Sequence, residues 1–190
     1  MTSASLHPIE AYEAAAGAML STMAGLTTAQ LGDPTPCTEW NVRQLINHNL
    51  KVSQWAINML TGGPALNPMD VDDELPREGA AAAFEAVSGG LLAEAKSRSM
   101  DEQVQAPFGP IALGQLLVVN TGDVFVHKWD LAKATGQDAT LDDVLAEMCY
   151  HAILPFAAPG REQGAFGPEI TVPPDAGIQD KLLAVTGRQP

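Results

Sequence analysis

Asp123 and His127 stand four residues apart in Asp123-Val-Phe-Val-His127, on a stripe that also carries Leu116, Asn120, Val124, Leu131 and Ala134. On a helix, side chains at that spacing share one face and point together. A carboxylate is expensive to bury alone among apolar neighbours, so Asp123 requires a cation, strong donors or water. Three arrangements meet the requirement: Asp123 orients His127, it faces a wet cavity, or both residues ligate a metal. His48 adds weight to the third. It is the polar member of a second stripe, Leu45, His48, Val52, Trp55 and Met59, spaced by three or four. Two imidazoles and a carboxylate suit zinc, nickel or another late first-row divalent ion, and three protein ligands leave coordination positions open, as in reactive sites. A buried His-Asp-His polar network without metal is the competing reading.

Other residues qualify more weakly. Cys37 lies ahead of a helix N-terminus, which lowers a thiol pKa, but no histidine is near it in sequence, and a packed loop residue is the simpler role. Asp130, three residues after His127, reads as its hydrogen-bond partner, as a substitute ligand, or, more simply, as a solvated carboxylate or one bonded to the loop around Trp40. Arg43 is one of few cations close to the three residues and is the candidate for an anionic substrate group, against a plain surface ion pair. His151 beside Tyr150 is a candidate further ligand, whereas His7 reads as a helix-start residue. Trp40 and Trp129 read as packing. Gly122 costs about 1 kcal/mol inside a helix, which implies close packing or a ligand beside Asp123.

Periodicity supplies the elements that must hold these groups. Pro8 to Gly25 predicts an amphipathic helix, and Leu26 to Trp40 an ordered, proline-broken loop. A second helix is expected over Val42 to Thr61, capped by Asn41 or Thr38 and ended by Gly62-Gly63. The polar stretch Gly63 to Arg77 reads as a loop. A third helix covers about Glu78 to Ser99, with Gly89-Gly90 marking a kink or a close helix contact. The fourth, about Ala112 to Ala134, is apolar on nearly every side and must be central. Thr140-x-x-Asp143 reads as a capping box opening a fifth helix to about Leu154. Beyond it come an extended segment, Phe166 to Pro174, and a short helix, Ile178 to Val185. Phe-Gly-Pro occurs at 108–110 and at 166–168, so the two extended segments are candidates to lie side by side. Only Ile170-Thr171-Val172 hints at period-two alternation. The expected architecture is all-α, a bundle of four long helices with additions.

Composition limits the partners. The chain has 190 residues, a prior for one domain over 1–190, and Lys+Arg 10 against Asp+Glu 23 gives a net charge of −13. That balance argues against nucleic acid and anionic membrane. Two cysteines suit a reducing compartment, the run Phe108 to Gly122 is too short to span a bilayer, and no leader opens the chain, so the expectation is a cytoplasmic protein. Apolar faces on Ala-rich helices make a homodimer an expectation too.

Three blocks of the chain carry a resemblance: Thr35-Pro-Cys-Thr-Glu-Trp-Asn-Val-Arg-Gln-Leu-Ile-Asn-His48, Asp123-Val-Phe-Val-His-Lys-Trp-Asp-Leu-Ala-Lys-Ala-Thr-Gly136, and Phe166-Gly-Pro-Glu-Ile-Thr-Val-Pro-Pro174. In this order they resemble the metal-binding domain of mycothiol-dependent maleylpyruvate isomerase, in the DinB/YfiT-like superfamily, and its single-domain metal-binding members above all. The resemblance implies a DinB-like four-helix bundle with a short additional helix and an extended C-terminal segment. It also implies one divalent metal held by His48, Asp123 and His127. The isomerase has glutamate where this chain has Asp123, one methylene shorter, and it carries a further C-terminal domain. The activity implied by the resemblance is that of a thiol-dependent metalloenzyme, in which the metal activates a thiol such as mycothiol towards an electrophilic carbon, for S-transfer or isomerisation. A non-catalytic metal-dependent binding or sensor protein is the alternative.

Overall fold

The computed structural model describes residues 6–107, 109–162 and 164–190. Phe108, which opens the first Phe-Gly-Pro run, lies outside them. Pro8–Ala139 forms one compact unit, and Thr140–Pro190 falls in a second.

In the first unit, α1 (Pro8–Ala24) starts at the expected proline and buries Tyr12, Met19 and Met23 along one side. A short 3-10 turn at Thr28–Gly32 lies within the expected loop. Next comes α2 (Val42–Thr61), with Asn41 as its cap: the Asn41 side chain accepts from Gln44 N–H and the Gln44 side chain accepts from Asn41 N–H, each at 3.0 Å. Gly62, at φ 69°, closes it in the left-handed conformation. The third helix, α3 (Ala80–Lys96), is shorter than its apolar pattern implied. It runs through Gly89-Gly90 as one helix, and a Cβ at Gly90 would stand 3.3 Å from the Ile57 Cδ1 of α2, so this glycine serves close helix contact.

A hairpin, β1 (Gln103–Ala106) paired antiparallel with β2 (Gly109–Ala112), leads into α4 (Leu113–Thr135). Alternation did not reveal it, because each strand is four residues long and Val104 is its one fully buried side chain. Gly109–Ala112 thus takes Gln103–Ala106 as its strand partner. The long α4 buries Leu113, Leu116, Leu117, Phe125 and Leu131 and is central as expected. Around the bundle, α1 packs on α3 and α4, and α2 packs on the same two helices. The architecture is the expected four-helix bundle.

The second unit holds α5 (Asp143–Ile153), a 3-10 turn at Leu154–Phe156, α6 (Ala157–Glu162) and α7 (Ile178–Val185). Its first cap corrects the reading of Thr140: the Asp142 carboxylate, directly before the helix, accepts from Leu145 N–H at 2.9 Å. Residues 170–172 form no strand; Ile170 N–H instead donates to the Ala184 carbonyl at 3.1 Å.

Burial inside each unit has a consequence at alkaline pH. Desolvation pushes the Tyr12 phenol, whose oxygen lies 3.0 Å from Ser53 Oγ, from an ordinary 10.0 up to about 12. It pushes the Cys149 thiol from 9.0 up to about 12. Both groups therefore keep their protons in the native protein at pH values where the unfolded chain has lost them. Their contribution is constant below pH 9 and is lost as pH rises from there towards 12. Denaturant unfolding between pH 8 and 11 should show stability falling by up to about 1.4 kcal/mol per pH unit for each group, with a shallower fall above pH 10 in Tyr12→Phe.

Candidate metal centre

The facing stripes of α2 and α4 bring His48, Asp123 and His127 together. His48 Nε2 lies 3.3 Å from Asp123 Oδ2 and 3.4 Å from Oδ1, and His127 Nε2 lies 3.7 Å from Asp123 Oδ1. One ligand atom from each residue falls within 4.8 Å of the others, with the two rings edge to face at 5.0 Å. Both histidines are buried, whereas the Asp123 side chain is 30% exposed and marks the open side of the cluster.

Each imidazole is held from behind. His48 Nδ1 is 3.0 Å from the Pro68 carbonyl, which only accepts, so Nδ1 carries the hydrogen. His127 Nδ1 is 2.9 Å from Oδ2 of Asp130, a fully buried carboxylate, and donates likewise. In the neutral rings this leaves a lone pair on each Nε2, turned towards Asp123. Each Nε2 thus faces the Asp123 carboxylate, and either a shared proton or a bound cation satisfies such a set. Ligand atoms at about 2.0–2.2 Å from a tetrahedral ion lie about 3.3–3.6 Å apart; from Asp123 Oδ1 the two Nε2 atoms lie at 3.4 and 3.7 Å, and the whole set falls within 4.8 Å. The donor set fits a divalent ion of zinc type.

The segment before α2 contributes two residues that sequence reasoning set aside. Thr35 Oγ1 donates to the carbonyls of Cys37 and Trp40, at 3.1 and 2.8 Å, and holds this loop against the site. The Trp40 ring lies 4.6 Å from that of His48 and 5.9 Å from that of His127. Cys37 Sγ donates to Asp130 Oδ2 at 3.2 Å and stands 3.8 Å from His127 Nδ1. Cys37, His127 and Asp130 therefore form a second convergent group that shares His127. The sequence puts no histidine near Cys37 because the one it meets lies 90 residues away in the chain. The block from Thr35 to His48 and the weighed bond from Asp130 to the loop around Trp40 were the signals tying that loop to the site. For Asp130, two of the weighed roles are met together: it bonds His127 and the loop that carries Trp40.

Arg43, the candidate for an anionic substrate group, has another occupation. Its Nη1 donates to the carbonyls of Asp72 and Asp73, at 2.9 and 2.6 Å, with Glu74 at 3.9 Å. His151 is exposed on α5, its ring 5.4 Å from Tyr150, and belongs to no convergent ligand group among the described residues. His7 is exposed just before α1. Gly122 is buried in α4.

The four-helix bundle defines the class by its fold, and comparison with known proteins gives the family. The model of the mycothiol maleylpyruvate isomerase N-terminal domain family matches residues 12–132, and the chain belongs to that family. Two uncharacterized proteins from two strains of Mycobacterium tuberculosis are each 33% identical over 197 aligned positions, covering 96% of this chain and 98% of theirs. Among solved structures, mycothiol-dependent maleylpyruvate isomerase superposes with a TM-score of 0.57 at 13% identity, and its histidine-to-alanine variant with 0.63 at 16%. In both cases 80% of this chain and 71% of the other are covered, which establishes the shared DinB-like fold. No helix among the described residues is long and apolar enough to cross a membrane.

Proposed function

We propose that the chain is a thiol-dependent metalloprotein, acting through one divalent ion, zinc or nickel, held by His48, Asp123 and His127. The observation that carries this reading is the convergence of two Nε2 atoms on a carboxylate, each ring having its Nδ1 against a fixed acceptor. When bound, such an ion supplies Lewis acidity that lowers the pKa of a small thiol and makes it nucleophilic at neutral pH. Asp123 supplies the negative charge of the ligand set and, being part-exposed, leaves that side open to small molecules. Trp40 covers the two rings and limits the access of water. Asp130 keeps the hydrogen of His127 on Nδ1 and so keeps Nε2 available.

Family membership supports mycothiol or a similar low-molecular-weight thiol as cosubstrate, with an electrophilic small molecule as the second, for S-transfer or isomerisation. The proposed organisation is a single DinB-like domain over 1–190, working in a reducing, cytoplasmic compartment in keeping with Cys37 and Cys149, which are not joined in a disulfide. The test incubates zinc-loaded protein with mycothiol or glutathione and an activated cis-alkene. Saturable, thiol-dependent conversion that disappears in His127→Ala is the expected result. Tight small-molecule binding without any conversion replaces the enzyme by a metal-dependent carrier or sensor.

A further inference from the structure

Segment 67–74 is strapped along one face of α2, largely through its own backbone carbonyls. Asn47 Nδ2 donates to the carbonyls of Val71, at 2.9 Å, and Asp73, at 2.6 Å. One turn earlier, Arg43 reaches the carbonyls of Asp72 and Asp73. One turn later, Lys51 Nζ donates to the Asp70 carbonyl and lies 2.7 Å from the Asp73 carboxylate. Residues 43, 47 and 51 share a helical face by their spacing of four. His48 comes directly after Asn47, and its Nδ1 meets the same strap at Pro68.

The fastenings are unequal. Arg43 and Lys51 act at the exposed rim, where an ion pair contributes about 0–1 kcal/mol. Asn47 is 3% exposed; its bond to the Val71 carbonyl is buried, where a hydrogen bond is strong and costly to lose, and its bond to Asp73 is part-buried. Within the strap, Asn67 Oδ1 accepts from Met69 N–H and the Asn67 carbonyl from Asp70 N–H. The Pro68 carbonyl therefore belongs to a closed turn and moves with the strap as a body.

We infer that Asn47 is a positioning residue for His48: by holding the Val71 and Asp73 carbonyls it keeps the Pro68 carbonyl against His48 Nδ1, which leaves the lone pair on Nε2 facing Asp123. The inference takes its functional meaning from the proposed ion-holding role of His48, yet it is readable with no ion bound. His127 is the internal control, since Asp130 of α4 holds its Nδ1–H without any strap residue.

The experiment is a long-range proton–nitrogen correlation spectrum of the imidazoles in the full, metal-free chain at about pH 8. The wild type should show both His48 and His127 with the hydrogen on Nδ1. In Asn47→Ala, His48 should shift towards the Nε2–H form while His127 stays unchanged, and zinc affinity should fall about 10- to 100-fold. Asn47→Asp, equal in shape but without the donors, should behave in the same way and serves if the alanine variant does not fold. An unchanged His48 signature in a folded variant overturns the inference, as does a wild-type His48 already carrying its hydrogen on Nε2. If the wild type takes up no zinc, the metal reading fails alone, because the tautomer result is obtained without metal.

Discussion

About one zinc ion per chain in the wild type, measured by elemental analysis on untagged protein, falls to background in His48→Ala, Asp123→Ala and His127→Ala, while all three variants keep their helical circular dichroism. The loss is large because each substitution removes a ligand itself, whereas removal of a residue that merely supports a ligand already costs about 10- to 100-fold. Folding survives because the bundle core is made elsewhere, by Leu45, Phe84, Leu116, Leu117 and Leu131 among other fully buried side chains. Full zinc occupancy in any one of the three variants removes that residue from the ligand set. No zinc in the wild type, after incubation with zinc, nickel and manganese, reduces the cluster to a polar network.

Asp130→Ala is the second large effect, and it reads out twice. Asp130 is fully buried and accepts from both His127 Nδ1–H and Cys37 Sγ–H through one oxygen, Oδ2. Its removal leaves two donors behind in a buried setting; an unsatisfied donor costs about 1–3 kcal/mol, with a weak thiol donor at the lower end. Zinc affinity should drop about 10- to 100-fold as His127 loses the acceptor that fixes its tautomer. Asp130→Asn retains an acceptor without the charge and should recover most of the stability but less of the affinity. Chemical denaturation paired with competition against a chelating dye separates the two quantities. Equal zinc affinity in wild type and Asp130→Ala would show that the buried carboxylate serves packing alone.

How much of this was legible in the chain depends on the range over which the signal acts. The bounds of α2 and both of its caps follow from Asn41, Gln44 and Gly62, because capping is local chemistry within one turn. The same holds for α4, whose all-round apolar surface announces a central helix. The hairpin 103–112 escaped because four-residue strands with one buried side chain leave too few positions for alternation to register. Sequence places the cap of α5 two residues early, since Thr140 and Asp142 both carry the side-chain acceptor that a cap requires.

The candidate site divides along the same line. Asp123 and His127 share a face by helical spacing alone, and His48 stood out as a polar residue on an apolar stripe, so sequence by itself determined which three side chains α2 and α4 bring together. Only the tertiary structure decided how each is held. The Pro68 carbonyl behind His48, the contact of Cys37 with an acid 93 residues away, the placement of Trp40 over both imidazoles and the use of Arg43 on its own chain's carbonyls all join loops to helices across long stretches of sequence. Periodicity reports which way a side chain faces along one element. What it meets there is set by how the elements pack, and that depends on the burial of the whole core.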